Sequence, residues 1–138
     1  MKKMIFLILL CVIISCSKND GSLEVADNDA FINQLKSAPS VAIPKENFPK
    51  WLVEIINEYE NSKEVVLYAY TPVTFYKGEW KKRSVYMIHD PLSSCIYCYV
   101  YYEDGTKIVF SPNSFDFQNT SRNWVLIWKI GGTEFNNT

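Results

Sequence analysis

Between Asn47 and Ser62 the apolar residues Trp51, Leu52, Ile55, Ile56 and Tyr59 return every three or four positions, with Lys50, Glu54, Glu58 and Glu60 opposite them. That period places the apolar set in one stripe, the pattern of an amphipathic helix whose face needs a cover. Asn47 is positioned to cap it, and Pro49 suits the first turn, where a missing amide hydrogen breaks no intrahelical bond. Upstream, Phe31, Ile32 and Leu35 share one side of a shorter predicted helix, with Asp27 or Asp29 as its cap and Pro39 beyond its end. A helix that short needs to pack on something else.

From Glu64 onward the period falls to two and β-branched and aromatic residues accumulate. Predicted strands are Val65–Thr71, Val73–Trp80, Arg83–His89, Cys98–Tyr102, Lys107–Ser111 and Trp124–Ile130, with Pro72 breaking, bulging or placing at an edge what would otherwise be one long strand. Asp104-Gly105 predicts a two-residue hairpin turn with positive φ at both positions, and Lys81-Lys82 predicts a second turn by its place alone. Residues 90–94, 111–113 and 113–123 read as loops. The fold class that follows is α+β, with one main helix packed across an antiparallel sheet of about five strands.

The first 16 residues alter this picture by giving the domain an address. Lys2 and Lys3 precede an apolar run over residues 4–14, well short of the ~20 residues that cross a bilayer, and Ser15 stands before Cys16. Ile13-Ile14-Ser15-Cys16 resembles the lipobox of bacterial lipoproteins, which implies a signal peptide at 1–15 and lipid on Cys16, the membrane being a partner through that lipid. Residues 16–29 then form a flexible polar tether, and 30–138 a single small domain. The run Ser17-Lys18-Asn19-Asp20-Gly21-Ser22 resembles the tether that carries lipoproteins of Bacteroidota to the outer face of the outer membrane. Cleavage removes two of the 14 basic residues and none of the 15 acidic ones, leaving a net charge of −3 and no basic patch for nucleic acid.

A further likeness runs over residues 47–130. Pro49-Lys50-Trp51-Leu52, Tyr76-Lys77-Gly78-Glu79-Trp80 with Val85-Tyr86-Met87-Ile88, Tyr102-Glu103-Asp104-Gly105 and Ile127-Trp128-Lys129 resemble elements of small, uncharacterised lipoproteins of Bacteroidota. Lys81-Lys82 departs from the Asn-Gly pair that the resemblance leads one to expect at that turn. These motifs punctuate structure, so the resemblance implies a fold and an address and carries no activity.

The candidate chemistry is sparse. With Cys11 removed and Cys16 lipidated, Cys95 and Cys98 remain, in a compartment where disulfides persist. An extended chain would set their α-carbons about 10 Å apart, so a disulfide requires residues 95–98 to turn. A structural disulfide is the leading reading and buried thiols the next. A redox role would want a helix start after the motif, and Tyr99-Val100-Tyr101-Tyr102 reads as a strand. His89, Cys95 and Cys98, even with Asp90, make a poor zinc set. No nucleophile turn or phosphate-binding glycine loop occurs, and Glu58 and Glu60 read as solvated charge on the helix. The expectation is a non-enzyme without cofactor or metal.

Aromatic content points instead to binding. Strict alternation would put Tyr97, Tyr99 and Tyr101 on one sheet face, and Trp124, Leu126, Trp128 and Ile130 together on one side of the last strand. One helix covers one face. The other is either closed by the segment around Phe31 and Leu35, or by Phe115 and Phe117, or left open as a tyrosine-rich binding face. The predicted function is a lipid-anchored surface module that binds protein. Alternatives are an inhibitor of a streptopain-type cysteine protease, a glycan-binding accessory lipoprotein, and a purely structural envelope component.

Overall fold

The computed structural model describes residues 28–111 and 115–132. The predicted signal peptide, Cys16 and the tether as far as Asp27 lie outside the described residues. Helix α1 spans Asn28–Lys36, so the last two residues of the predicted tether, Asn28 and Asp29, are helical, and Asp29 lies in the first turn, where its charge favours the helix dipole. A 3₁₀ turn at Lys45–Asn47 precedes α2, Lys50–Glu60. Asn47 therefore does not cap α2; Pro49 stands at that position, and its carbonyl accepts the amides of Leu52 and Val53 at 2.9 and 3.1 Å. A 3₁₀ segment, Lys63–Ala69, leads to the strands β1, Val73–Trp80, and β2, Arg83–His89. Strand β3, Val100–Tyr102, helix α3, Asp116–Thr120, and strand β4, Arg122–Ile130, complete the described elements.

The sheet has four strands in the order β3-β2-β1-β4, every pair antiparallel. Two predicted strands are absent from it. Residues 65–71 cannot pair with β1, whose two sides are taken by β2 and β4, so the backbone closes on itself, with Val65 N–H donating to Ser62 O and Ser62 Oγ accepting from Glu64 N–H. Residues 107–111 touch β3 through the Tyr101–Lys107 bridge and the Ile108 N–H to Val100 O bond, then leave the edge so that Ile108 and Phe110 pack under the sheet.

Both sheet faces are covered. Leu52 and Ile56, four residues apart on α2, are fully buried on one face with Tyr68, Val73, Phe75, Tyr86, Ile88 and Ile127. Each such side chain contributes roughly 1.5–3 kcal/mol of transfer free energy. On the opposite face Phe31 and Leu35 of α1 and Phe117 of α3 meet Tyr76, Trp80, Val85, Met87, Val100 and Trp124. Phe31 and Phe117 meet edge-on at 5.9 Å between ring centroids, and each meets Trp124 edge-on, at 6.1 and 5.9 Å.

Register explains where simple alternation fails. Phe75 pairs with Trp128 but Tyr76 pairs with Leu126, so Ile127 is an extra residue, and a second shift falls between Lys77 and Glu79. The bulge turns Trp128 away from Trp124 and Leu126 and onto the α2 side, where it meets Phe48 edge-on at 5.9 Å. The four apolar residues predicted to share a side of β4 are thus divided between the two layers.

Lys81-Lys82 form the expected turn, whereas the Asp104-Gly105 turn departs from the expected chemistry. Glu103, Asp104 and Gly105 form a three-residue loop closed by Tyr102 N–H to Thr106 O at 2.9 Å, and Gly105 takes positive φ, 86°, while Asp104 does not. A Cβ on Gly105 would come within 2.9 Å of the Trp51 ring, whose Nε1 donates to Glu103 O at 3.0 Å. The tryptophan of α2 thereby clamps the helix to this hairpin. At the β1–β2 turn Lys81 and Lys82 carry φ of 49° and 60°, the left-handed conformation that side chains resist by roughly 1–2 kcal/mol per residue. Lys81 is held by Asp116 at 2.9 Å and by the Trp80 ring; Lys82 has neither contact. Lys82→Gly is therefore expected to stabilise the domain by about 0.5–1 kcal/mol in urea unfolding, glycine's larger unfolded-state entropy offsetting part of the relief. An unchanged or lower midpoint would show that the turn is not strained at Lys82.

Candidate functional site

Cys95 and Cys98 are joined by a disulfide across a turn, with α-carbons 5.4 Å apart. That turn breaks the alternation on which a tyrosine face depends, because β3 begins only at Val100. Tyr97 packs with Phe31 at 5.6 Å on the α1 side and donates its hydroxyl to Asn28 Oδ1 at 2.6 Å. Tyr99 and Tyr101 lie on the α2 side, Tyr101 against Trp51 at 5.2 Å. The three tyrosines therefore do not form one binding face. The N-terminal segment and Phe117 together close the face that an open site would have used.

A different concavity exists on the α2 side. It lies between the C-terminal half of α2, the 3₁₀ segment, the end of β2 and the approach to β3, and has a volume of about 340 Å³. Tyr59, on the shoulder of the helix stripe, donates to Asp90 Oδ2 at 3.0 Å, while Asp90 Oδ1 accepts the Leu92 amide at 2.9 Å. The same ring packs edge-on against Tyr68 and Phe75 at 6.0 and 5.9 Å. Tyr68 is buried because the 3₁₀ segment turns it inward, and its hydroxyl lies 3.5 Å from Glu64 Oε2. Tyr99, Tyr101, Glu58 and Ser62 complete the polar and aromatic lining.

The electrostatics of this cleft are one-sided. Burial and then the Asp90 charge push the Tyr59 phenol far above its ordinary range, and burial, Asp90 and Glu64 push Tyr68 up to about 12. Burial, followed by Tyr99 and Glu58, raises Tyr101 as well. The phenols thus remain protonated donors through the neutral range, facing carboxylates. Four ion pairs occur among the described residues, Lys45–Glu60, Lys77–Glu103, Lys81–Asp116 and Arg122–Glu79, and none of them uses Glu58, Glu64 or Asp90.

Glu58 read from sequence as a solvated charge on the helix, and it is exposed, yet it stands at the rim of this cleft. Tyr59, Glu64 and Tyr68 carried no sequence signal of a site, and Asp90 entered only as a weak oxygen ligand for a metal, because residues 65–71 read as a strand and the contributing segments are far apart in the chain. The sequence cue that was available is the Glu58-Tyr59 pair, an acid beside an aromatic at the end of the apolar stripe.

On the far side of the 3₁₀ segment a second cleft, about 290 Å³, is lined by Ile32, Leu35, Tyr70, Pro72, His89 and Pro91, among others. Burial lowers the pKa of His89 there. Among the described residues, no group of three His, Cys, Asp or Glu side chains is placed to hold a metal ion, and no helix is long and apolar enough to cross a membrane. In comparisons with known proteins, no family model matches the chain, and neither does a curated protein or a solved structure.

Proposed function

We propose that this chain is a lipid-anchored, non-catalytic binding module displayed at the outer membrane of a bacterial envelope, and that it binds protein. The address rests on residues 1–22, with Cys16 as the lipidated residue. The observation that carries the binding reading is the outer surface of the 3₁₀ segment and the residue after it. Val66, Leu67 and Tyr70 are 72, 55 and 82% exposed, three large apolar side chains within five residues, in a stretch that lends Tyr68 to one cleft and Tyr70 to the other. An apolar ridge beside two concavities is the arrangement that supplies a buried centre to a protein interface. Of Trp80, Trp124 and Trp128, the tryptophans that a sugar-stacking reading would use, the first two are buried and the third is half-buried.

The test replaces the ridge and leaves the core intact. Val66→Ser, Leu67→Ser and Tyr70→Ser together, in the full chain expressed in its native envelope, are expected to shift the melting temperature by no more than a few degrees, as surface changes do. Crosslinked partner recovered with the chain is expected to fall at least tenfold. Recovery equal to that of the parent chain would remove the ridge from the binding surface.

A further inference from the structure

We infer that the second cleft, lined by α1, Tyr70 and the ends of β1 and β2, receives a glutamate side chain of the bound protein. This rests on the protein-binding reading, and it names the chemistry that reading leaves open. Thr74 lines the cleft, and its Oγ1 is buried without a hydrogen-bond partner. A buried orphan hydroxyl destabilises the free protein, so its place in a native cleft needs an explanation, and a ligand oxygen provides one. Register surrounds that hydroxyl with further donors. Thr74 pairs with His89 of β2 on one side and with Lys129 of β4 on the other, and directly opposed residues share a sheet face. Tyr76, two residues along β1, and Lys36, the last residue of α1, line the same cleft. A Cβ on Gly132 would lie 3.0 Å from Lys129 Nζ and 3.2 Å from Pro72 Cγ, which places that ammonium beside a wall of the cleft. No hydrogen bond or ion pair joins the Tyr76 hydroxyl, the His89 ring or either ammonium group to another described residue.

Donors and cations with no carboxylate among them select an anion. No Asp or Glu lines this cleft. Asp90, next to His89 in the chain, lines the other cleft, where its two oxygens accept the Tyr59 hydroxyl and the Leu92 amide. Burial holds the His89 pKa below its ordinary value, against the pull of Asp90 and with a further push from Lys36, so the ring is an uncharged donor and acceptor at neutral pH. The walls select the body of the ligand. Ile32, Leu35, Tyr70, Pro72 and Pro91 suit the two methylenes of a glutamate, whose carboxylate then accepts from the hydroxyls and the imidazole and faces the ammonium groups of Lys36 and Lys129. An arginine or lysine of the partner would be repelled by the same two cations. The volume, about 290 Å³, is at the small end of ligand clefts and is suited to one side chain. Tyr70, 82% exposed, is both a wall of this cleft and the end of the ridge, so a protein seated on the ridge reaches the cleft directly.

The inference is testable without the partner. His89 is the only histidine of the chain, so its ring resonances report on the cleft without ambiguity. N-acetylglutamate α-amide and N-acetylglutaminamide are titrated at neutral pH into the full chain in detergent, and those resonances are followed by NMR. Saturable shifts with the glutamate probe in the millimolar range are expected, weakened several-fold by added salt and about tenfold in Lys36→Gln/Lys129→Gln, where both parent side chains are exposed. The glutamine probe is expected to leave the ring unmoved. A carboxylate beside the imidazole favours its protonated form, so the glutamate probe is expected to raise the pH midpoint of His89 by about 0.5 unit or more, and to bind more tightly as pH falls toward that midpoint. Thr74→Val removes the orphan hydroxyl with little change of shape, and is expected to weaken binding about threefold while the melting temperature holds or rises. Equal binding of both probes, no saturation, an unmoved His89 midpoint, or undiminished binding in either folded variant would overturn the inference. Acetate binding as tightly as the glutamate probe would overturn it as well, because the apolar walls would then take no part. If the glutamate probe binds as described while the ridge substitutions leave partner recovery unchanged, the protein-interface reading fails and the carboxylate site stands. The converse result removes the carboxylate site alone.

Discussion

Gly78→Val is expected to cost more than 3 kcal/mol and to leave little folded protein at 37 °C. A Cβ built on Gly78 would sit 2.5 Å from Cε3 of Trp124 and 2.6 Å from Cδ2, distances at which rigid groups overlap. Trp124 has no room to yield, since it is buried between Phe31 and Phe117 and its Nε1 donates to Ser121 Oγ at 3.3 Å. Overpacking of a filled core ordinarily costs about 1–3 kcal/mol, and here β-branching adds to a backbone already opposite the irregular β4 register. The double variant Gly78→Ala/Trp124→Leu, which removes most of the ring, is expected to be more stable than the sum of its two single variants by at least 1 kcal/mol. Additivity in chemical denaturation would mean that Gly78 and the indole do not compete for the same volume.

Phe31→Ala is the second large effect, expected at about 3–5 kcal/mol, the usual range for deleting a buried aromatic ring. Phe31 is 2% exposed, and its ring meets Tyr97, Phe117 and Trp124 within 5.6 to 6.1 Å. Its removal leaves a void against the lower face of the sheet that neighbouring rings close only in part. Loss of α1 is expected to be worse, because Leu35 leaves the core together with Phe31, and the following chain, whose Pro39 O and Val41 N–H bond to Leu126 N–H and O at 2.9 Å along the β4 edge, loses its anchor. A chain beginning after Lys36 is expected to aggregate. A Phe31→Ala protein with unchanged urea midpoint would indicate that the face is open in solution.

These two effects come from the part of the fold that the sequence left undecided. The stripe of α2, the strands β1 and β2 and the place of both hairpins were legible because local period and turn residues agree there. The apolar run 65–71 was misread as a strand because its composition suits one, while its actual conformation is decided by the lack of a free edge on β1. In β4 one extra residue, Ile127, reassigned Trp128 to the other layer, and nothing local in Val125-Leu126-Ile127-Trp128 marks the bulge. The tyrosine face failed for a reason present in the sequence itself. A bond between Cys95 and Cys98 needs a turn, and a turn ends the alternation that would align Tyr97 with Tyr99 and Tyr101. The acidic cleft was out of reach because helix, 3₁₀ segment, β2 end and β3 approach each supply two or three of its side chains.

The measurement that tests the central claim most directly is site-specific photocrosslinking in the living envelope, with a benzophenone amino acid at position 70 and, separately, at position 109. Both parent residues are strongly exposed, at 82 and 87%, so accessibility does not distinguish them. Recognition through the ridge predicts one discrete protein adduct from position 70 and none from position 109. An adduct from position 109 alone, or no adduct from position 70, would contradict the account.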